Sequence, residues 1–192
     1  MDLSALLESS GAILRGHFLL TSGRHSDVYF EKFRVLERPD VLSALATEIA
    51  DHFREANVQR VAGPTTGGII IAFEVARQLG VPALYVESEN GEKKLRRNAF
   101  VEPGTKTLIV DDVLTTGKSI FEVRDLLRVH EADVVGVGVL IDRSGGAVDF
   151  GTPLFASHVV QAESFAPDNI PEWLQAIPIT KPGTRQRGPV TP

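Results

Sequence analysis

The segment TLIVDDVLTTGKSI, Thr107 to Ile120, holds the densest chemistry in the chain. Thr107 to Val110 reads as a buried strand, and two adjacent carboxylates, Asp111 and Asp112, stand at its end. A small hydroxyl-rich turn follows, Thr115-Thr116-Gly117. It leads into a helix predicted over Lys118 to His130, with Ile120, Val123 and Leu127 on one face. A helix N-terminus offers free N–H donors and the positive end of the dipole, so it suits a phosphate. Thr115, Thr116 and Ser119 add hydroxyl donors, and Gly117 lets the backbone come close to the anion. Acids beside a phosphate cradle would repel it, unless they accept hydrogen bonds from a sugar diol or from water on a bound Mg2+. The plainer reading is an exposed acid pair and an ordinary helix cap. The pair combined with the TTG-x-S turn is the rarer pattern and favours a phosphosugar site.

Two familiar phosphate motifs do not fit. Gly117-Lys118-Ser119 copies the end of a P-loop, but that loop needs glycine five positions before Gly117, where Asp112 stands. The dinucleotide fingerprint fails as well, because Gly136 and Gly138 lie inside a predicted strand and the third glycine position is Ile141.

The elements that must position these residues form a rhythm. A short helix is expected from Asp2 to Ser9, then strands at His17–Thr21 and Val28–Phe33 around the turn Ser22-Gly23-Arg24. Val41, Leu42, Leu45, Ala46, Ile49 and Phe53 recur at helical spacing, which predicts an amphipathic helix from Asp40 to Arg54. Then come a strand at Arg60–Ala62, the Gly-rich loop GPTTGG (Gly63 to Gly68) and an apolar helix at Ile69–Leu79. Strands follow at Ala83–Val86, Thr107–Val110 and Val134–Leu140. Strands alternating with helices imply an α/β fold with a central parallel sheet flanked by helices. Ligands sit at the carboxyl ends of such strands.

Composition sets the bounds. The chain has 192 residues, a formal net charge of −5, 43% hydrophobic residues and no cysteine. These values exclude disordered, collagen-like and disulfide-scaffold classes, and with them thiol nucleophiles and Cys-type zinc sites. The N-terminus lacks the pattern of a secretory signal, and no run reaches the ~18 apolar residues of a membrane helix. The expectation is a cytoplasmic protein with no membrane or nucleic-acid partner. One domain is expected over 1–180, with residues 181–192 as a flexible tail. Seven of the 11 prolines follow Gly151.

The Thr107–Ile120 segment closely resembles the signature of type I phosphoribosyltransferases, which bind 5-phosphoribosyl-1-pyrophosphate (PRPP). TSGRHSDVYF (Thr21 to Phe30) and IDRSGG (Ile141 to Gly146) resemble the corresponding segments of the orotate phosphoribosyltransferase family. The resemblance implies a sheet domain with a small N-terminal hood, about residues 1–38, and a homodimer. It implies Mg2+ carried by PRPP near Asp111 and Asp112, with no direct protein ligand set. It places Asp111, Asp112, Val113, Leu114, Thr115, Thr116, Gly117, Lys118 and Ser119 on the phosphoribosyl group. It places Thr65, Thr66 and Gly67 on pyrophosphate, and Tyr29, Phe30, Thr115 and Arg143 on orotate. The implied activity makes orotidine 5′-monophosphate in pyrimidine synthesis. Core packing is the plainer reading of Tyr29 and Phe30. A surface ion pair with Asp142 or Asp149 is the plainer reading of Arg143, and a simple strand-to-helix turn that of GPTTGG.

The chain also departs from the family. Many members carry lysine where Thr21 and Gly67 stand. The loop ESENGEKKLRRNAFVEPG lacks the family's histidine but holds Lys93, Lys94, Arg96 and Arg97, four of the 20 basic residues in five positions. A charge run is usually a solvated face. A loop of ~14 residues is long for a connection, however, and a basic lid would close over pyrophosphate. Lys93, Arg96 and Arg97 are therefore the candidate catalytic cations, and His25 is the nearest alternative for a general acid. Two competing readings are a PRPP-sensing regulator and a transferase for another base. An acidic chain with only ~38 residues ahead of the sheet leaves no room for a DNA-binding domain.

Overall fold

The structure is a computed structural model and describes residues 3–20, 22–96, 99–160 and 163–181. Thr21, Arg97 and tail residues 182–192, which figure in the sequence expectations, lie outside the described residues.

In chain order the elements are α1 (Leu3–Ser9), β1 (Ile13–Leu19), β2 (His25–Phe30), α2 (Lys32–Leu36) and α3 (Pro39–His52). A 3-10 turn at Arg54–Ala56 leads to β3 (Arg60–Pro64), α4 (Gly67–Leu79), β4 (Ala83–Glu89) and β5 (Glu92–Lys94). Next are β6 (Lys106–Leu114), α5 (Lys118–Val129), β7 (Asp133–Asp142) and β8 (Leu154–Val159). The chain closes with β9 (Ser164–Phe165), α6 (Glu172–Gln175) and β10 (Ile179–Thr180).

The main sheet has the order β5-β4-β3-β6-β7-β8. All its neighbours pair in parallel except the β4–β5 hairpin. Its two faces carry separate cores. Leu108, Val110 and Leu140 pack on one side with Leu45 and Ile49 of α3 and Ile71 and Val75 of α4. Ile109, Val137 and Val139 pack on the other with Ile120, Val123 and Leu127 of α5. Alternation along β6 puts Ile109 opposite its neighbours, as the two-residue period of a strand requires. Each fully buried Leu, Ile or Val contributes ~1.5–3 kcal/mol relative to exposure, so these two layers fix where the loops between them emerge.

A glycine stripe seats α3 on β7. A Cβ at Gly136 would lie 2.2 Å from Cε1 of Phe53, and one at Gly138 would lie 2.5 Å from Cγ2 of Ile49. These glycines do not bind a nucleotide. They allow a helix to approach the sheet closely.

The hood is a second sheet of order β10-β1-β2-β9. It is built from both ends of the chain, whereas the sequence placed it in about residues 1–38. Nδ1–H of His17 donates to the carbonyl of Ile177 (3.1 Å), which leaves Nε2 to accept from Nδ1–H of His25 (2.6 Å). This buried pair ties the C-terminal segment to the hood.

Gly138→Ala should destabilise the fold by about 1–3 kcal/mol, because the new methyl group overpacks the α3–β7 contact. Urea unfolding should show a lower midpoint at unchanged slope. An unchanged midpoint would mean that α3 shifts outward at no cost.

Candidate active site

β3 and β6 are adjacent in the sheet, and the connections leave them toward opposite edges: α4 leads to β4 on one side, α5 to β7 on the other. This is a topological switch point, where open α/β sheets form a crevice. The loop after β6 is Thr115-Thr116-Gly117. Gly117 caps α5 at φ 73°, a conformation that favours glycine, and an added Cβ there would meet Phe150 at 2.9 Å. The turn is thus held from below by a buried ring. A cavity of about 310 Å³ opens above it. It is lined by Lys93, Asp111, Val113, Leu114, Thr115, Thr116, Gly117, Lys118, Ser119, Ile120 and Glu122. Most of the sequence-derived phosphoribosyl set therefore meets around one cavity.

Asp112 is the exception, for a reason of strand geometry. β6 runs on to Leu114, so the two acids lie within the strand and point to opposite faces. Asp111 lines the cavity. Asp112 turns toward the hood, where its Oδ2 accepts from Nζ of Lys32 at 2.8 Å. Burial, and then the neighbouring Asp112 charge, push the Asp111 carboxyl up to about 7. The Asp112 N–H and the ammonium groups of Lys32 and Lys93 pull the other way. Lys32 was missed in the sequence. Its partner is 80 residues away, and no local pattern marks it.

The loop after β3 is shorter than the six-residue expectation, since α4 starts at Gly67 rather than Ile69. The Thr65 amide, counted among the donors for an anion, is committed to the sheet, where it donates to the Val86 carbonyl at 2.9 Å. Thr66 and Gly67 open the helix, where first-turn amides have no intrahelical acceptor. Close backbone approach requires glycine at 63, and at 67 an added Cβ would push the Asp112 carboxylate aside. A Cβ at Gly63 would meet the Gly68 carbonyl at 2.1 Å, and one at Gly67 would meet Asp112 Oδ2 at 2.4 Å.

The basic segment begins as a hairpin rather than a bare loop. β4 and β5 pair through Asn90-Gly91, both at positive φ. Asn-Gly between paired strands is a strong hairpin signal, and it was present in the sequence. The hairpin brings Lys93 to the cavity. Arg96 instead pairs with Glu89 (3.1 Å) and Glu87 (3.8 Å), and Lys94 pairs with Glu89 and Glu92.

On the hood side, period two sends Tyr29 and Phe30 to opposite faces of β2. Phe30 is buried with the main core, and Tyr29 is partly exposed. Arg143 follows β7, and its amide donates to the Leu114 carbonyl at 2.8 Å, beside the Thr115–Gly117 turn. Asp142 and Asp149 are occupied by local amides, those of Ser144 and Gly151, both at 2.7 Å. Burial lowers the Arg143 guanidinium below its ordinary value, and the nearby Tyr29 phenol opposes this. Burial and Glu31 raise the Tyr29 phenol, against Arg143 and Lys32. The structure thus joins Tyr29, Arg143 and Lys32 on one side of the acids. His25 is buried in the hood against His17.

A doubly wound sheet with a glycine-capped, hydroxyl-rich turn at its switch point and a second small sheet beside it defines a class, and comparison with known proteins agrees. The phosphoribosyl transferase domain family matches residues 34–150, and the chain belongs to that family. Within it the chain falls with the orotate phosphoribosyltransferases. The one from Desulforamulus reducens is 46% identical over 96% of this chain and 97% of its own length. The one from Thermotoga petrophila is 44% identical over 95% and 98%. The crystal structure of orotate phosphoribosyltransferase from Aeropyrum pernix superposes with a TM-score of 0.72 at 31% identity, covering 83% of this chain and 94% of that one.

The Asp111 shift predicts a pH-dependent stability. Its folded value, about 7, lies above the ordinary 3.8, so the native state holds a proton that the unfolded chain has released. Stability therefore falls as pH rises from about 4 to about 7 and then levels. Asp111→Asn should raise the thermal midpoint relative to the parent at pH 8, and the gain should vanish near pH 4. Equal midpoint differences at both pH values would contradict the shift.

Proposed function

We infer that the chain transfers ribose 5-phosphate from PRPP to orotate, giving orotidine 5′-monophosphate and pyrophosphate in pyrimidine synthesis. The observation that carries this reading is the convergence of Asp111, the Thr115–Ser119 turn and Arg143 at one switch point beneath the hood.

In the proposed reaction the 5′-phosphate lies on the amides and hydroxyls of Thr115, Thr116, Gly117 and Ser119, with Lys118 at the helix start. Asp111 and Asp112 accept from the ribose hydroxyls. Thr66 and Gly67 face the pyrophosphate at the start of α4. Orotate stacks beside Tyr29, with its carboxylate or ring carbonyl on the planar fork of Arg143 and on Thr115. The C1′–oxygen bond to pyrophosphate breaks with its electron pair on the leaving group, and the base nitrogen bonds to C1′ with inversion. The protein holds the two reactants in line and neutralises developing charge with Lys93, Arg96 and Arg97. Carboxylate oxygens beside the cavity suit a hard cation that keeps its own waters, so Asp111 and Asp112 would hold PRPP-borne Mg2+ through water. When bound, Mg2+ supplies positive charge for the leaving group.

The active unit in this reading is a homodimer. Phe33, Ile70 and Phe73 are exposed on α2 and α4, Phe73 by 64%, and flank grooves lined by Leu36, Pro39 and Leu42. Such a contiguous apolar surface fits a subunit contact. A cytoplasmic setting belongs to the same proposal; no helix of the described residues is long and apolar enough to cross a membrane.

Incubation with PRPP, Mg2+ and orotate should deplete the orotate ultraviolet band; consumption of adenine, uracil or xanthine instead would overturn the substrate assignment. Arg143→Ala should raise the KM for orotate by roughly 10- to 100-fold, the worth of a charge-assisted hydrogen bond, and spare the KM for PRPP. Equal weakening of both would remove Arg143 from the base side. Phe73→Glu should shift the sedimentation coefficient from dimer to monomer, and an unchanged value would place the interface elsewhere.

A further inference from the structure

The β3–α4 loop contains no cation, yet it faces the place where the proposed leaving group carries most charge. Residues Pro64 to Gly68 are Pro, Thr, Thr, Gly and Gly. A cation reaches this region from elsewhere in the chain. Lys32, the first residue of α2 in the hood, places Nζ 2.8 Å from Oδ2 of Asp112. The same oxygen stands 2.4 Å from the position a Cβ would take at residue 67. The carboxylate held by Lys32 and a side chain at 67 thus compete for one space. Gly67 is helical and not at positive φ, so backbone conformation does not demand glycine there. A larger residue there would instead displace the Asp112 carboxylate from its present position.

The exposure of the pair separates a functional tie from a simple surface bridge. The Asp112 side chain is only 12% exposed, while that of Lys32 is 40% exposed. The carboxylate is largely out of water, while the lysine side chain still meets solvent. Lys32 also lies within electrostatic reach of Asp111 and Tyr29, between the acids and the base side.

We propose that Lys32 is the positioning residue of this site: it holds Asp112 in the gap that Gly67 leaves open and supplies from the hood the positive charge that residue 67 does not. The assignment rests on PRPP as substrate, and it explains why a chain without lysine at 67 keeps glycine there rather than another residue.

The test compares variants of the full-length protein in steady-state kinetics and in calorimetric binding of PRPP, with the parent protein assayed in parallel. Parent activity tests the substrate reading; the variants test the role of Lys32. Lys32→Met keeps length and loses charge. It should lower kcat/KM for PRPP by roughly 10- to 100-fold and weaken PRPP binding, with little change in the KM for orotate. Lys32→Arg should recover most of the loss. Gly67→Lys should impair the parent, where its Cβ meets the held carboxylate. In the Lys32→Met background it should instead restore part of the lost kcat/KM, because Asp112 is free to turn and a cation returns. A purely structural tie would lower the thermal midpoint of Lys32→Met and leave PRPP kinetics intact. That result would overturn the proposal, as would Gly67→Lys being equally harmful in both backgrounds.

Discussion

Two neighbouring carboxylates in one strand, beside a site for polyanions, impose the constraint around which the rest of the molecule is arranged. Two like charges about 4 Å apart cost on the order of 4 kcal/mol near a protein surface, and burial adds to that cost. The structure handles the conflict by separation and by unequal pairing. Strand alternation sends Asp111 and Asp112 to opposite faces. Asp112 receives a direct ammonium partner, while Asp111 faces the cavity without so close a cation and takes up the strain as a raised proton affinity. The charge at the site is therefore set by elements that approach it from outside β6: the hood through Lys32 and the hairpin through Lys93.

That arrangement depends on close approach of backbone. The Thr115–Gly117 turn keeps its shape because Gly117 sits over Phe150, and the β3–α4 turn because Gly63 lies against the Gly68 carbonyl. The sheet stays narrow on the α3 side because Gly136 and Gly138 admit Phe53 and Ile49. In each case glycine is needed for space, and only at Gly117 is it also needed for a positive φ. The two helix N-termini that meet at the switch point, those of α4 and α5, are brought together by these contacts and not by any side chain of the site.

Much of this was legible in the sequence because local periods govern it. Val41 to Ile49 at helical spacing, and Thr107 to Val110 before the acid pair, identify α3 and β6 directly. The switch-point site followed from the order of elements. The misread features have other causes. The burial of Phe30 beside a partly exposed Tyr29 follows the two-residue period of β2, which was available. The Asn90-Gly91 turn was also available and marks β5. β9 and β10 were not legible, since two-residue strands carry no pattern. β8 is partly exposed along most of its length, so it shows no alternation. Lys32–Asp112 and the engagement of the Thr65 amide by Val86 are tertiary facts, set by residues far apart in the chain.

The basic hairpin shows how the same electrostatic economy extends to the proposed reaction. Four cations in five positions would repel one another if unpaired. Here Lys94 and Arg96 rest on Glu87, Glu89 and Glu92 of the same hairpin. These are exposed or half-exposed pairs, each worth ~0–1 kcal/mol, so the hairpin loses little when a guanidinium leaves a carboxylate. A pyrophosphate offers more charge and more acceptor oxygens than a single glutamate. Weak internal pairing thus keeps the cations ordered and available, whereas a close pair whose carboxylate is largely buried, such as Lys32–Asp112, is suited to hold a fixed orientation. The two pairings differ in kind: exchangeable ion pairs along the hairpin, and a close tie between Lys32 and Asp112.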